Sequence, residues 1–164
     1  MKYRTDLSLA QARELLAYDR ISGVLTWITN RKGQPKPGNA AGTLNEDGYI
    51  KIRVDGIIYQ AHRIAWLLET GAWPEAEIDH RNLQKSDNHW ENLRPATHGQ
   101  NMINVAGRRA GLKGAYRRKS GSWYSNIRAN NKQIRVGEFA TEAAAHAAYC
   151  EAARKHHGEF ARAS

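Results

Sequence analysis

Residues 78–104, IDHRNLQKSDNHWENLRPATHGQNMIN, are the stretch on which the fold of this chain turns. A short apolar lead-in delivers Asp79 and His80, and adjacent residues at a strand end project to opposite sides. Asn92-Leu93-Arg94 reads as a short returning strand. Thr97 and Gln100 form a capping box, which predicts a helix from Thr97 with Asn101 on its second turn, pointing back toward the strands. Strand, loop, strand and helix can thus converge Asp79, His80 and Asn101 on one spot. A carboxylate, an amide oxygen, waters and a phosphate suit Mg²⁺ or Mn²⁺ better than zinc. A neutral His beside that cation can deprotonate a water at neutral pH. Asn-rich loops also have a plainer use, hydrogen-bonding their own backbone, and residue types alone leave both readings open.

Upstream, His62–Glu69 (HRIAWLLE) has a helical pattern that stops at Gly71 and Pro74. Tyr49–Val54 and Ile57–Ala61 alternate around Asp55-Gly56, a two-residue hairpin signal. Thr29–Ala40 reads as a loop with two prolines and two glycines, preceded by a short strand, Val24–Ile28. Ser8 with Gln11 is a second capping box and predicts a first helix over 8–18. Downstream, AGRRAGLKG marks a basic linker. Three strands are predicted near 114–118, 123–129 and 132–138, the last two joined by Asn130-Asn131. Thr141 then caps an alanine-rich helix, 142–156, ending at Gly158. The fold class is α+β in two small units: 1–105, a linker at 106–112, and 113–164.

The chain has 164 residues, 25 Lys+Arg against 16 Asp+Glu, and a formal charge of +9. With 41% apolar residues it can bury cores, which excludes wholesale disorder. No stretch approaches the ~20 apolar residues of a membrane span. The N-terminal residues lack a secretory apolar core, and a single cysteine, Cys150, fits a reducing compartment, so the expected location is cytoplasmic. Nine basic residues and no acidic one fall between Gly107 and Arg135, and the rest of the chain balances to zero. A single-sign block attracts a polyanion, although a solvated basic face is the plainer alternative.

Residues 62–104, from HRIAW through IDH, SDN, ENLR and GQNMIN, resemble an HNH endonuclease of the His-Me finger superfamily, closest to the free-standing homing nucleases often carried by bacteriophages. The resemblance implies a ββα-metal core over about 77–104, with His80 as general base and Asp79 as a metal ligand. Asn92 then braces the motif and the catalytic His, and Asn101 completes the site for one Mg²⁺ (or Mn²⁺). Many relatives carry a glycine in the loop after Asp-His, where this chain reads Arg81-Asn82-Leu83-Gln84. Other polar residues have structural readings. His62 opens a helix and is expected to satisfy a structural hydrogen bond. Asp87-Asn88 is expected to form a turn, and His89 and His98 lack zinc-ligand spacing.

Residues 113–160 resemble the APETALA-type (ethylene-response-factor) DNA-binding domain, which implies a three-stranded antiparallel sheet packed on one helix. In SWYSNIR, Trp123, Ser125 and Ile127 share one strand face and Tyr124, Asn126 and Arg128 the other. The resemblance carries DNA contact to Arg118, Trp123 and Arg128. For Trp123, core packing is an equal alternative. The basic residues Arg108, Arg109, Lys113, Arg117, Lys132 and Arg135 are expected at phosphates rather than base edges. Tyr116, Ser120, Asn126 and Arg135 depart from the family's contact residues, so its target sequence does not transfer.

These readings combine into a metal-dependent endonuclease with a sequence preference for duplex DNA, with no membrane association and no obligate protein partner. The alternative is a non-catalytic DNA-binding regulator on a degenerate nuclease fold. A second alternative is an RNA-binding or RNA-cleaving protein, with Tyr116, Trp123 and Tyr124 stacking on single-stranded bases.

Overall fold

The computed structural model describes residues 3–30, 35–104, 111–129 and 132–161. Arg108, Arg109, most of the expected linker and the Asn130-Asn131 turn lie outside the described residues. The chain contains both helices and strands and divides into two compact units, Met1–Thr97 and His98–Ser164.

In the first unit, the Ser8–Gln11 capping box forms and opens α1 (Leu9–Leu15). The predicted helix over 8–18 ends three residues early. Leu16–Tyr18 becomes β1 and pairs antiparallel with β2 (Leu25–Trp27). Sheet pairing overrides local helix propensity here. The turn between β1 and β2 is made by Asp19, whose carboxylate accepts from Ile21 N at 2.9 Å and from Ser22 Oγ at 2.9 Å. It closes through Gly23 at φ +75°. A Cβ there would sit 2.2 Å from His89 N and 2.4 Å from Asn88 C, so only glycine lets the two chain segments approach.

The Asp55-Gly56 hairpin forms as read, joining β4 (Ile50–Val54) to β5 (Ile57–Gln60), with β3 (Thr43–Leu44) on the other edge of β4. α2 (Ala61–Thr70) follows without a break and ends at Gly71 in the left-handed conformation that terminates helices. The core gathers Leu15, Leu16, Trp27, Ile52, Val54, Ile64 and Leu67 with Ile78 and Leu93. The last two belong to β6 (Glu77–His80) and β7 (Leu93–Ala96), an antiparallel pair. The core therefore anchors the strands that carry the Asp-His pair.

The second unit begins with α3 (His98–Asn104). A three-stranded antiparallel sheet follows: β8 (Ala115–Arg117), β9 (Trp123–Ala129) and β10 (Lys132–Phe139), with β9 central. One face packs on α4 (Glu142–His157), which Thr141 caps by accepting from Ala144 N at 3.2 Å. The core is small: Ile127, Tyr149, Cys150 and Ala153, edged by Ile134 and Val136. Gly114 is required by proximity, because a Cβ there would meet the Tyr149 ring at 2.1 Å.

Candidate active site

β6 ends on Asp79 and His80, and the antiparallel register sets Asp79 opposite Arg94 and His80 opposite Leu93. Side chains directly opposite on one face are neighbours. Arg94 uses that placement: its Nε and Nη2 both donate to Asp79 Oδ2, at 2.8 and 2.7 Å. Both groups are buried. Two charges withdrawn from water in this way tolerate each other's presence far better than either's absence. Residue type alone does not mark Arg94 as a site residue, because its role depends on the Asp79–Arg94 register.

His80 is 3% exposed, and its Nε2 lies 3.1 Å from Asn88 Oδ1. The Asn88 amide is oriented by its Nδ2, which donates to Ser86 O at 3.3 Å. An amide oxygen only accepts, so His80 Nε2 carries the hydrogen and donates to it. Burial pushes the imidazole pKa below its ordinary value, against opposing pulls from the Asn88 bond and from Asp79. A neutral ring with the proton on Nε2 holds its lone pair on Nδ1, the form a general base needs.

His62, in the first turn of α2, packs edge-on to His80 with ring centroids 5.1 Å apart at 88°. Tyr49 lies beside both rings, at 5.5 Å from His62 and 6.0 Å from His80. Burial first, then the neighbouring His80 and Arg63, bring the His62 pKa down to about 3. The structural hydrogen bond expected of it is missing at Nδ1, which is buried without a partner among the described residues.

The loop between the strands is braced from inside. Asn92 Oδ1 accepts from Asn82 N at 2.9 Å, and Asn92 Nδ2 donates to Asp87 O at 2.6 Å. These bonds tie down both ends of the loop, while the bond at the His80 ring nitrogen comes from Asn88. Asp87 holds Asn82 Nδ2 and His89 Nδ1, each at 2.6 Å. Burial of Asp87 opposes ionisation, but these bonds outweigh it and lower its pKa. The Asp87-Asn88 pair therefore does more than form a turn. Leu83 occupies the left-handed region at φ +67°, a conformation that favours glycine. The chain accepts local strain of ~1–2 kcal/mol at this leucine.

No three His, Cys, Asp or Glu side chains among the described residues converge as a protein-only metal cage. The donor chemistry fits a different kind of ion. One buried carboxylate, Asp79, among amides and neutral imidazoles suits a hard divalent cation that takes its remaining ligands from phosphate and water. Asn101, the other expected ligand, lies on α3 in the second unit.

Residues 59–103 match the HNH endonuclease family. The HNH segment runs from β5 to α3 and contains His62, Asp79, His80, Asn88, Asn92, Arg94 and Asn101. The match supports a nuclease hydrolase of the HNH type with DNA as its substrate. Comparison with curated proteins and with solved structures returns no match. No helix among the described residues is long and apolar enough to cross a membrane.

In the second unit, β9 alternates as read: Ser125, Ile127 and Ala129 are buried, and Arg128 is exposed on the opposite face. Trp123, half-buried, shares the buried side, and Arg117 is its partner across β8. On the other face Tyr116 stacks on Tyr124 at 5.4 Å, and Arg118 lies 5.3 Å over the Tyr124 ring. Glu138 pairs with Arg118 at 2.8 Å and also with Arg135. A cavity of about 450 Å³ on this sheet is lined by Tyr116, Asn126, Ile127, Arg128 and Gln133. Lys132, at the start of β10, is exposed, and the Lys113 carbonyl accepts from His146 Nδ1 at 2.8 Å.

Proposed function

We propose that this protein is a metal-dependent, homing-type DNA endonuclease of the phage-carried kind, hydrolysing phosphodiester bonds in duplex DNA with a sequence preference. The observation that carries the reading is the buried Asp79-His80 pair inside the HNH segment, with His80 held in the Nε2–H form by Asn88. His80 Nδ1 takes a proton from a water molecule. The resulting hydroxide attacks the phosphorus, the P–O3′ bond breaks, the departing O3′ takes a proton from solvent water, and the products carry a 5′-phosphate and a 3′-hydroxyl. Asp79 and Asn101 would hold one Mg²⁺ or Mn²⁺. When bound, that ion supplies charge stabilisation at the phosphoryl oxygens. Arg94 holds and aims the Asp79 carboxylate through its two donors, and Asn92 holds the loop that carries Asn88.

The APETALA-like sheet is proposed to grip the substrate. Arg118, Arg128, Lys132 and Arg135 would contact phosphates, while Asn126 and Gln133, which line the cavity, have the amides that pair with adenine in a major groove. Trp123 on the buried side is better suited to packing than to base contact.

Cleavage of a randomised duplex library with Mg²⁺ or Mn²⁺, followed by sequencing of the ends, tests activity, end chemistry and preference together. His80→Ala should retain DNA binding and lose a factor of ~10²–10⁴ in rate. Specific binding without nicking by the unaltered protein would point instead to a DNA-binding regulator.

A further inference from the structure

The hairpin formed by β1 and β2 lies outside the HNH segment, yet three of its groups converge on the chain that carries Asn88. Tyr18 Oη donates to Asn88 O at 2.7 Å. Trp90 N donates to Arg20 O at 2.9 Å. Gly23 lies so close to Asn88 and His89 that a Cβ would overlap their backbone. Arg20 extends the clamp by pairing with Glu69 of α2 at 3.3 Å, and the Trp90 ring packs on Trp66 of the same helix at 5.0 Å. Asn88 is 1% exposed and has its side-chain oxygen on the His80 ring. A loop of this kind would otherwise set its own conformation, and here a separate element fixes it at successive residues.

Resting on the endonuclease reading above, we infer that the N-terminal hairpin is a positioning element for the general base, with Tyr18 acting through Asn88 to hold the His80 imidazole in place. Tyr18 fixes the Asn88 carbonyl and hence its Cα. The Asn88 side chain then starts from a fixed point and meets Nε2–H at bonding distance. Burial raises the Tyr18 pKa, so its hydroxyl stays protonated and remains a donor throughout the working pH range. A phenylalanine keeps the ring but removes the bond, leaving Asn88 free to shift and the imidazole free to rotate or change tautomer. Geometric errors of ~1 Å at a reacting group cost on the order of a hundredfold in rate. A partly released imidazole should cost less.

Two measurements on the full-length chain test this. The first reads the imidazole nitrogens of His80 by long-range ¹H–¹⁵N spectra near pH 7.5, assigned with His80→Gln. The unaltered protein should show a single Nε2–H form, and Tyr18→Phe a mixture of tautomers. The second is cleavage of duplex DNA with Mg²⁺, where Tyr18→Phe should lower kcat about tenfold with KM changed less than twofold. Gly23→Ala should move both readouts in the same direction, and Tyr3→Phe, outside this network, should move neither. A Tyr18→Phe protein with an unchanged His80 tautomer and unchanged kcat would overturn the inference. If the unaltered protein does not cut DNA, the endonuclease reading fails, and the nitrogen spectra still decide whether the hairpin positions the ring.

Discussion

The β6–β7 loop and the outer face of the β8–β9–β10 sheet are both rich in polar side chains, but they spend them differently. Around His80 the polar groups are buried and partnered inside the protein: Asp79 with Arg94, His80 with Asn88, Asn92 with two loop backbones. On the sheet, Arg118, Arg128 and Arg135 are exposed, and the partner of two of them is the exposed Glu138. Buried polar networks are unforgiving, because removing one member strands another in a medium that cannot solvate it. Exposed ion pairs exchange partners at little cost, and a phosphate can replace a carboxylate. The first region is therefore suited to holding geometry, and the second to the phosphate grip proposed for it.

Removing Arg94 should break the comparison most sharply. Arg94→Ala takes both guanidinium bonds from the buried Asp79 carboxylate, with an expected loss of ~3–5 kcal/mol in denaturant-induced unfolding. A loss below 1 kcal/mol would show that the loop is as tolerant as the sheet.

Acid comes next. Unfolded His62 titrates near its ordinary value of 6.5, and the folded ring takes a proton only near 3. Between those values the unfolded chain binds more protons, so stability is complete above pH 6.5 and declines as pH falls toward 3. His80, whose pKa is also lowered, acts in the same direction. Urea midpoints from pH 7.5 to 4.5 should fall steadily, and more gently in His62→Gln. Identical slopes in the two proteins would remove His62 from the acid response.

On the sheet, Arg128→Ala should weaken DNA affinity and reduce the slope of log K against log salt by about 0.9. The cleavage rate at saturating DNA should stay the same. A changed rate with an unchanged slope would mean that this face takes part in the chemistry rather than the grip.

Leu83 offers the smallest effect and the finest test. Leu83→Gly relieves ~1–2 kcal/mol of left-handed strain and loses ~0.5–1 kcal/mol in chain entropy, for a net gain between about 0 and 1.5 kcal/mol. Differential scanning calorimetry should show a slight rise in Tm, and a fall would mean that the leucine side chain has a packing role.

Local signals in the sequence matched local structure where the chemistry was itself local. The Ser8–Gln11 box, the Asp55-Gly56 turn and the Thr141 cap each depend on residues two to four apart, and all three form. The helix expected over 8–18 was too long because Leu16–Tyr18 pairs with Leu25–Trp27, and that partner lies beyond any helical window. In the candidate site, Asp79, His80 and Asn92 could be named from spacing and resemblance. Asn88 read as a turn residue, since a turn asparagine and one that orients an imidazole look the same in sequence.

The amino-acid sequence by itself determined which chemistry this chain could hold: an Asp-His pair, an asparagine-rich loop, and a block of cations set apart from both. Tertiary structure decided which atoms meet. Arg94 found Asp79 through antiparallel register, and His62 reached His80 because α2 packs on the same core as β6 and β7. Tyr18 reached Asn88 across 70 positions of chain. Contacts of that range depend on burial and packing that no local pattern encodes, and the orientation of the His80 imidazole rests on them.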